Sequence, residues 1–210
     1  MPRIRKALLE AADELGRRDR IMKGAIAATG PPDMRRGRPR SGHFAELARA
    51  ICFQQLAGAA ARAIHGRFTD LFDGEPEPRA VLALRIEQMR AVGLSAAKTA
   101  SIRDLAEHVV AGDVELDRVA RLSDDEIVRE LTLVRGIGRW TAEMFLIFQL
   151  GRLDVWPVDD FGVRNGYARL YGLDEMPKPK QLEAGGEAFR PYRSVAAWYC
   201  WRATDTVLPV

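Results

Sequence analysis

Along most of this chain apolar residues return at spacings of three and four, and they seldom alternate with polar ones. HFAELARAICFQQL, AAKTASIRDLAEHVVAG and DDEIVRELTLV each place apolar side chains at i, i+3, i+4 and i+7, the one-sided stripe of an amphipathic helix. Strand-like alternation is nowhere sustained. The pattern predicts an all-α protein of about ten helices. Ser123 followed by Glu126 reads as a capping box opening one of them, since each side chain can satisfy the other's orphan backbone N–H. Breaks fall where Gly and Pro cluster: TGPPDMRRGRPRSG, FDGEPEP, VGLS, VRGIGR, GRLDVWPV and LDEMPKPK. With no internal repeat and no low-complexity linker, one domain over residues 1–210 is expected, arranged in two lobes.

Composition narrows the picture. The 210 residues, 47% hydrophobic, suffice for a folded core. No apolar run reaches the roughly 20 residues of a membrane span, and MPRIRKALLEAADELGRR is too charged for a signal peptide. No membrane partner and a cytoplasmic location are expected. The two cysteines, Cys52 and Cys200, can supply neither a disulfide framework nor four thiolate ligands. His43, His65 and His108 show no metal-ligand spacing, which counts against a metal-dependent nuclease. The net charge of +3 is uneven, because residues 1–49 carry twelve Lys/Arg against six Asp/Glu. Met34–Arg40, MRRGRPR, is the densest basic piece. A polyanion such as nucleic acid would account for the asymmetry, as would a solvated loop.

Two glycines one residue apart, Gly136 and Gly138, sit in LVRGIGRWTAEMF between two helical stretches, about 123–133 and 140–150. Such a turn needs φ > 0 or close approach by another group, and glycine permits both. The N–H groups opening the next helix point outward with the positive end of the helix dipole behind them, an arrangement that attracts anions. Helix, G-x-G hairpin, helix is the form of an element that grips a DNA phosphate on backbone N–H groups and therefore reads no sequence. A plain helix turn with glycines at its C-cap has the same local pattern.

Downstream, DVWPVDDFGVRNGYARLYG sets adjacent carboxylates, Asp159 and Asp160, after a Pro loop and before a helix. An Asp here can be a helix cap or a functional acid. Its order relative to the hairpin favours the second. GIGRWTA and PVDDFGVR resemble the helix-hairpin-helix and Gly/Pro-loop-Asp signature of the base-excision DNA glycosylase superfamily, most closely the 3-methyladenine DNA glycosylase II type. FAELARAICFQQLAGAAARAI, GLSAAKTASIRDLA and FRPYRSVAAWYCWR resemble further family segments, so the likeness runs from about residue 44 to 202. The chain looks like the compact form, without the N-terminal β-rich domain of larger bacterial members.

The resemblance implies an all-α helix-hairpin-helix glycosylase fold. One lobe would cover about 50–158 with the helix-hairpin-helix at 123–150, and the other about 1–49 plus 159–210, with the active site in the cleft between them. It implies double-stranded DNA with damaged bases as the substrate of a monomer acting near the nucleoid. Asp160 is the expected catalytic carboxylate, with Asp159 as helix cap or second acid. Trp140, Trp201, Met144 and Tyr199 would form the base pocket, with Trp198 on the same closing helix as Tyr199 and Trp201. Met144 stands where relatives carry an aromatic residue. Gln54, Gln55, Ser95, Lys98, Arg135, Gly136, Gly138 and Arg139 would contact DNA, with Gln55 as plug for the gap left by a flipped nucleotide. Both glutamines read as part of a helix, and hydrogen bonding at its end is their alternative role. Backbone carbonyls of Thr132, Val134 and Ile137 would hold a structural Na⁺ or K⁺, with no iron-sulfur cluster and no cofactor required for chemistry. Trp140 occupies the position of the lysine nucleophile of bifunctional members, and an indole forms no Schiff base. A monofunctional enzyme is expected, against the alternatives of a bifunctional glycosylase/lyase and a non-catalytic helix-hairpin-helix module.

Overall fold

A computed structural model describes residues 2–34 and 42–204. Residues 35–41, with the arginines of the basic run, lie outside the described residues. Twelve α-helices and no strand occur among the described residues: α1 (Pro2–Arg18), α2 (Arg20–Thr29), α3 (His43–Phe53), α4 (Gly58–Thr69), α5 (Pro78–Ala83), α6 (Ile86–Ala91), α7 (Ala96–Ala111), α8 (Asp124–Leu131), α9 (Arg139–Met144), α10 (Phe161–Tyr171), α11 (Pro179–Gly186) and α12 (Arg193–Ala203). The helical period dictated the class, as expected from the apolar spacing. No described helix is long and apolar enough to cross a membrane.

The chain forms two compact units, one from residues 1–37 and 146–210 and the other from 38–145. In the first, α12 is the central element. Ser194 through Trp201 are buried without interruption, so this helix is enclosed on every side rather than amphipathic. Its contact with α10 is intimate because Gly166 has no side chain: a Cβ there would lie 1.9 Å from the Cys200 carbonyl oxygen. Ser194 Oγ accepts the Val155 N–H at 2.9 Å, and Trp156 Nε1 donates to the Leu182 carbonyl at 2.8 Å. These bonds tie the segment leading to α10 onto α11 and α12.

In the second unit, α3 and α5 pack on α7, with Leu47, Ile51, Met89, Ile102 and Leu105 at the core. Ser123 caps α8 as the sequence predicts. Its Oγ accepts Glu126 N–H, and Glu126 Oε2 accepts Ser123 N–H at 2.8 Å. Two expectations are corrected. The helix over HFAELARAICFQQL ends at Phe53, so Gln54 and Gln55 lie beyond it, and Gln55 adopts φ 56°. The second hairpin helix is α only to Met144, and Phe145–Leu150 is a π-helix. Its wider turn falls in the second half of a run of eight consecutive buried residues, Thr141 to Phe148, where burial is not confined to one stripe.

Candidate active site

The hairpin lies in the second unit. α8 is capped at its C-terminus by Thr132, whose Oγ1 donates back to the Val128 carbonyl at 2.8 Å, and Val134 and Ile137 are buried beneath the turn. The two glycines serve different needs. Gly136 has φ 78°, the left-handed region that penalises any Cβ. Gly138 has φ −93° and is the N-cap of α9. A Cβ on it would meet nothing within 4 Å, so packing within the chain does not require its missing side chain. Arg135 N–H donates to Asp104 Oδ2 at 2.6 Å, the Gly136 carbonyl accepts from Gln54 Nε2 at 2.9 Å, and the Val134 carbonyl accepts from Ile137 N–H at 3.1 Å. Arg139, exposed, holds buried Glu143 through its Nε at 2.9 Å.

Several residues expected to touch DNA also serve the fold. Ser95 caps α7 by accepting Lys98 N–H at 3.2 Å, and Lys98 Nζ donates to the Cys52 carbonyl at 2.8 Å. Burial holds the Lys98 ammonium below its usual range. Gln54 is engaged at Gly136, whereas Gln55 stands exposed in the turn between α3 and α4.

The first unit holds the acid. Asp160 is the N-cap of α10, and its Oδ1 accepts both Val163 N–H and Trp201 Nε1–H, each at 2.8 Å. It is 7% exposed, while Asp159 beside it is exposed. This corrects the assignment of the cap to Asp159: the buried carboxylate caps the helix and is also the one fixed by an indole. The cap places Oδ1 over the first turn, and α12 brings Trp201 to the same atom.

Of the four residues expected in the base pocket, two belong to each unit. Trp140, 40% exposed, and buried Met144 lie one turn apart on α9; Trp201 and Tyr199 are buried on α12. Trp201 tilts against Phe148 with ring centroids 5.6 Å apart. The Tyr199 hydroxyl donates to the Gly30 carbonyl at 3.0 Å, and burial raises its pKa to about 12. Burial also pushes the Cys52 thiol up to about 12, and that of Cys200 up as well, so neither offers a ready thiolate. Among the described residues no group of three or more His, Cys, Asp or Glu side chains is placed to hold a metal.

Two residues drew no attention in the sequence. Phe161, directly after Asp160, is the most exposed large apolar side chain among those described, at 68%; an aromatic in the first turn of a helix, off the buried stripe, was its available signal. Asp104 had none, because its partner lies 31 residues away.

A helix-hairpin-helix turn with an open helix start, together with a buried aspartate capping a later helix, defines a DNA-repair class of all-α protein. Residues 48–191 match the HhH-GPD superfamily of base excision DNA repair proteins, and the chain belongs to that family. It is 37% identical over 201 residues to DNA-3-methyladenine glycosylase 1 of Schizosaccharomyces pombe, covering 94% of this chain and 88% of the relative. A solved structure of the S. pombe 3-methyladenine DNA glycosylase in complex with abasic DNA superimposes with a TM-score of 0.82 at 35% identity, covering 96% of this chain and 98% of that one. The DNA-3-methyladenine glycosidase of Bacillus halodurans gives a TM-score of 0.82 at 35% identity, covering 91% and 87%.

Proposed function

We infer that this chain is a monofunctional DNA glycosylase of base excision repair, acting as a monomer on double-stranded DNA and releasing alkylated purines of the 3-methyladenine type. The observation that carries the reading is Asp160, a buried carboxylate whose Oδ1 is fixed by two donors, in a chain 37% identical to a 3-methyladenine glycosylase.

A base stacked in a duplex is out of reach, so the nucleotide must be flipped out at a cost of about a few kcal/mol. Exposed Gln55, in its strained turn, fills the gap that the flipped nucleotide leaves. An alkylated purine is cationic, and an exposed indole such as Trp140 attracts it by about 0.5–2 kcal/mol over a neutral base. Cleavage passes through an oxocarbenium-like sugar, as in glycoside hydrolysis. A carboxylate held rigidly, as Asp160 is, stabilises that charge without reorganising and orients the attacking water. A second acid is unnecessary because the cationic base leaves readily. Trp140, in the lysine position, leaves the backbone uncut. The hairpin N–H groups of Gly136 and Gly138 hold a phosphate of either sequence. Neutral carbonyl oxygens suit a monovalent cation, and Thr132, Val134 and Ile137 would hold Na⁺ or K⁺ there, bridging the turn to the phosphate.

The test is incubation of the protein with duplexes carrying single alkylated purines, followed by analysis of base and strand. Free base and an intact abasic strand are expected, with no adduct after borohydride. A trapped adduct overturns the monofunctional reading, and duplex binding without base release reduces the chain to a DNA-binding module.

A further inference from the structure

The glycines explain why the hairpin can turn but not why it should keep one shape before DNA arrives. Three side chains of the same unit close on its tip. Asp104 Oδ2 accepts Arg135 N–H at 2.6 Å, and Gln54 Nε2 donates to the Gly136 carbonyl at 2.9 Å. The Ser101 hydroxyl lies only 2.7 Å from where a Gly136 Cβ would be. Ser101 and Asp104 stand three residues apart on α7 and so share a face, while Gln54 arrives from the turn after α3.

We propose that Asp104 and Gln54 are positioning residues: a side-chain clamp on the two peptide groups flanking the Arg135–Gly136 link, which presets the left-handed Gly136 and aims the hairpin for a phosphate. The two bonds fix what lies on either side of that link, so the dihedrals between them have little freedom. Order imposed in advance is order that binding need not impose. Asp104 carries the same sign of charge as the phosphate. Its presence beside the hairpin is favourable only if the bond to Arg135 N–H outweighs that repulsion, and the bond is charge-assisted and short. The clamp's part in catalysis rests on the glycosylase reading, but its part in DNA binding does not.

The full-length chain and its Asp104→Ala, Asp104→Asn and Gln54→Met variants are compared for affinity to an undamaged duplex and for single-turnover excision from an alkylated one. Asp104→Ala and Gln54→Met should each bind the undamaged duplex roughly tenfold more weakly, about 1.4 kcal/mol. The enzyme concentration giving half-maximal excision should rise by the same factor, while the rate at saturation stays within about twofold. A purely structural role would instead lower the melting temperature and the saturating rate together. Asp104→Asn keeps an acceptor for Arg135 N–H without the charge, and should match or exceed the parent's affinity. Unchanged duplex affinity in both Asp104→Ala and Gln54→Met overturns the clamp, and so does an Asp104→Asn variant as weak as Asp104→Ala. If Asp104→Ala does not fold, Gln54→Met carries the test alone, since its turn lies outside any helix. A parent that releases no base, with variants that still weaken duplex binding, sinks the glycosylase reading and leaves the clamp standing.

Discussion

Two helix beginnings to which the proposed function assigns the chemistry are built in opposite ways. At α9 the cap is Gly138, which has no side chain to offer the first turn and open space where a Cβ would stand. At α10 the cap is Asp160, whose own carboxylate fills the turn and is gripped again by Trp201. One start has no side chain at its cap, and the proposed function gives it an anion that arrives. The other has supplied its anion from the chain and immobilised it. On the proposed function, the same partial charge at a helix N-terminus would bind a phosphate in one place and seat the reactive carboxylate in the other, with the residue at the cap deciding which.

The largest expected effect lies at the filled start. Asparagine caps a helix about as well as aspartate, so Asp160→Asn should fold and still bind an abasic duplex. It lacks the charge, and its saturating single-turnover rate should fall by about 10²–10³-fold, the scale of losing a preorganised electrostatic group. Asp159→Asn, at an exposed position, should stay within about threefold. The opposite result would move the catalytic role to Asp159 and undo the contrast.

The open start is tested by its two glycines, which the contrast separates. Gly136→Val forces a β-branched residue into φ 78° against the Ser101 hydroxyl, and should lower unfolding free energy by about 2 kcal/mol or more. Gly138→Ala meets no protein atom, so its melting temperature should match the parent's. It should nevertheless bind lesion and undamaged duplexes more weakly by a common factor, because the new methyl stands where a strand approaches. Equal loss of stability in both variants, or a binding loss on lesion DNA alone, would take the hairpin out of phosphate binding.

Much of this was legible in the sequence because the signals were local. The helical period, the Ser123–Glu126 box and the G-x-G turn each depend on residues a few positions apart, and each appears where the pattern placed it. What escaped depends on distant partners or on a single residue of register. Sequence order singled out Asp160 as the acid but left the cap to Asp159; the structure puts the cap on Asp160 and adds an indole 41 residues away. Gln54 and Gln55 follow an apolar stripe and read as part of its helix, but the chain leaves the helix at Phe53, and Gln54 finds its partner 82 residues away. The π-helix over Phe145–Leu150 has no signal beyond five apolar residues in a row, Met144 to Phe148.

A smaller effect is expected at the indole that grips Asp160. Trp201→Phe keeps a ring against Phe148 but removes the Nε1–H donor to Oδ1. The cap bond from Val163 survives, so the carboxylate stays near its place with more freedom. The saturating rate should fall by about tenfold, and stability by about 1 kcal/mol for the lost bond and the reduced volume. Full activity in Trp201→Phe would mean that the cap alone fixes Asp160.

The smallest effect separates the units by acid. All three histidines lie within residues 38–145, the unit of the hairpin. His43 sits edge-on to Phe145 with ring centroids 5.7 Å apart, and His65 to Phe53 at 6.0 Å. Burial holds both imidazoles below their ordinary value of 6.5. Asp117 partly opposes the shift at His43; at His65 Arg49 reinforces it and Glu46 opposes it. Below that ordinary value the unfolded chain takes up protons that the folded unit refuses, and stability rises with pH wherever the unfolded state binds more. Stability is therefore full above the ordinary value and declines as pH falls through it toward the lowered folded values. The carboxylates Glu14, Glu126 and Glu187, held below their ordinary 4.5 by hydrogen bonds to Arg17, Ser123 and Arg190, act only in more acid solution. Urea midpoints between about pH 7.5 and 5.5 should fall modestly, and His65→Gln should flatten the slope. Amide-exchange protection should be lost first within residues 42–145. An equal loss over residues 146–204, which contain no histidine, would show that the acid response does not distinguish the unit with the open helix start from the unit with the filled one.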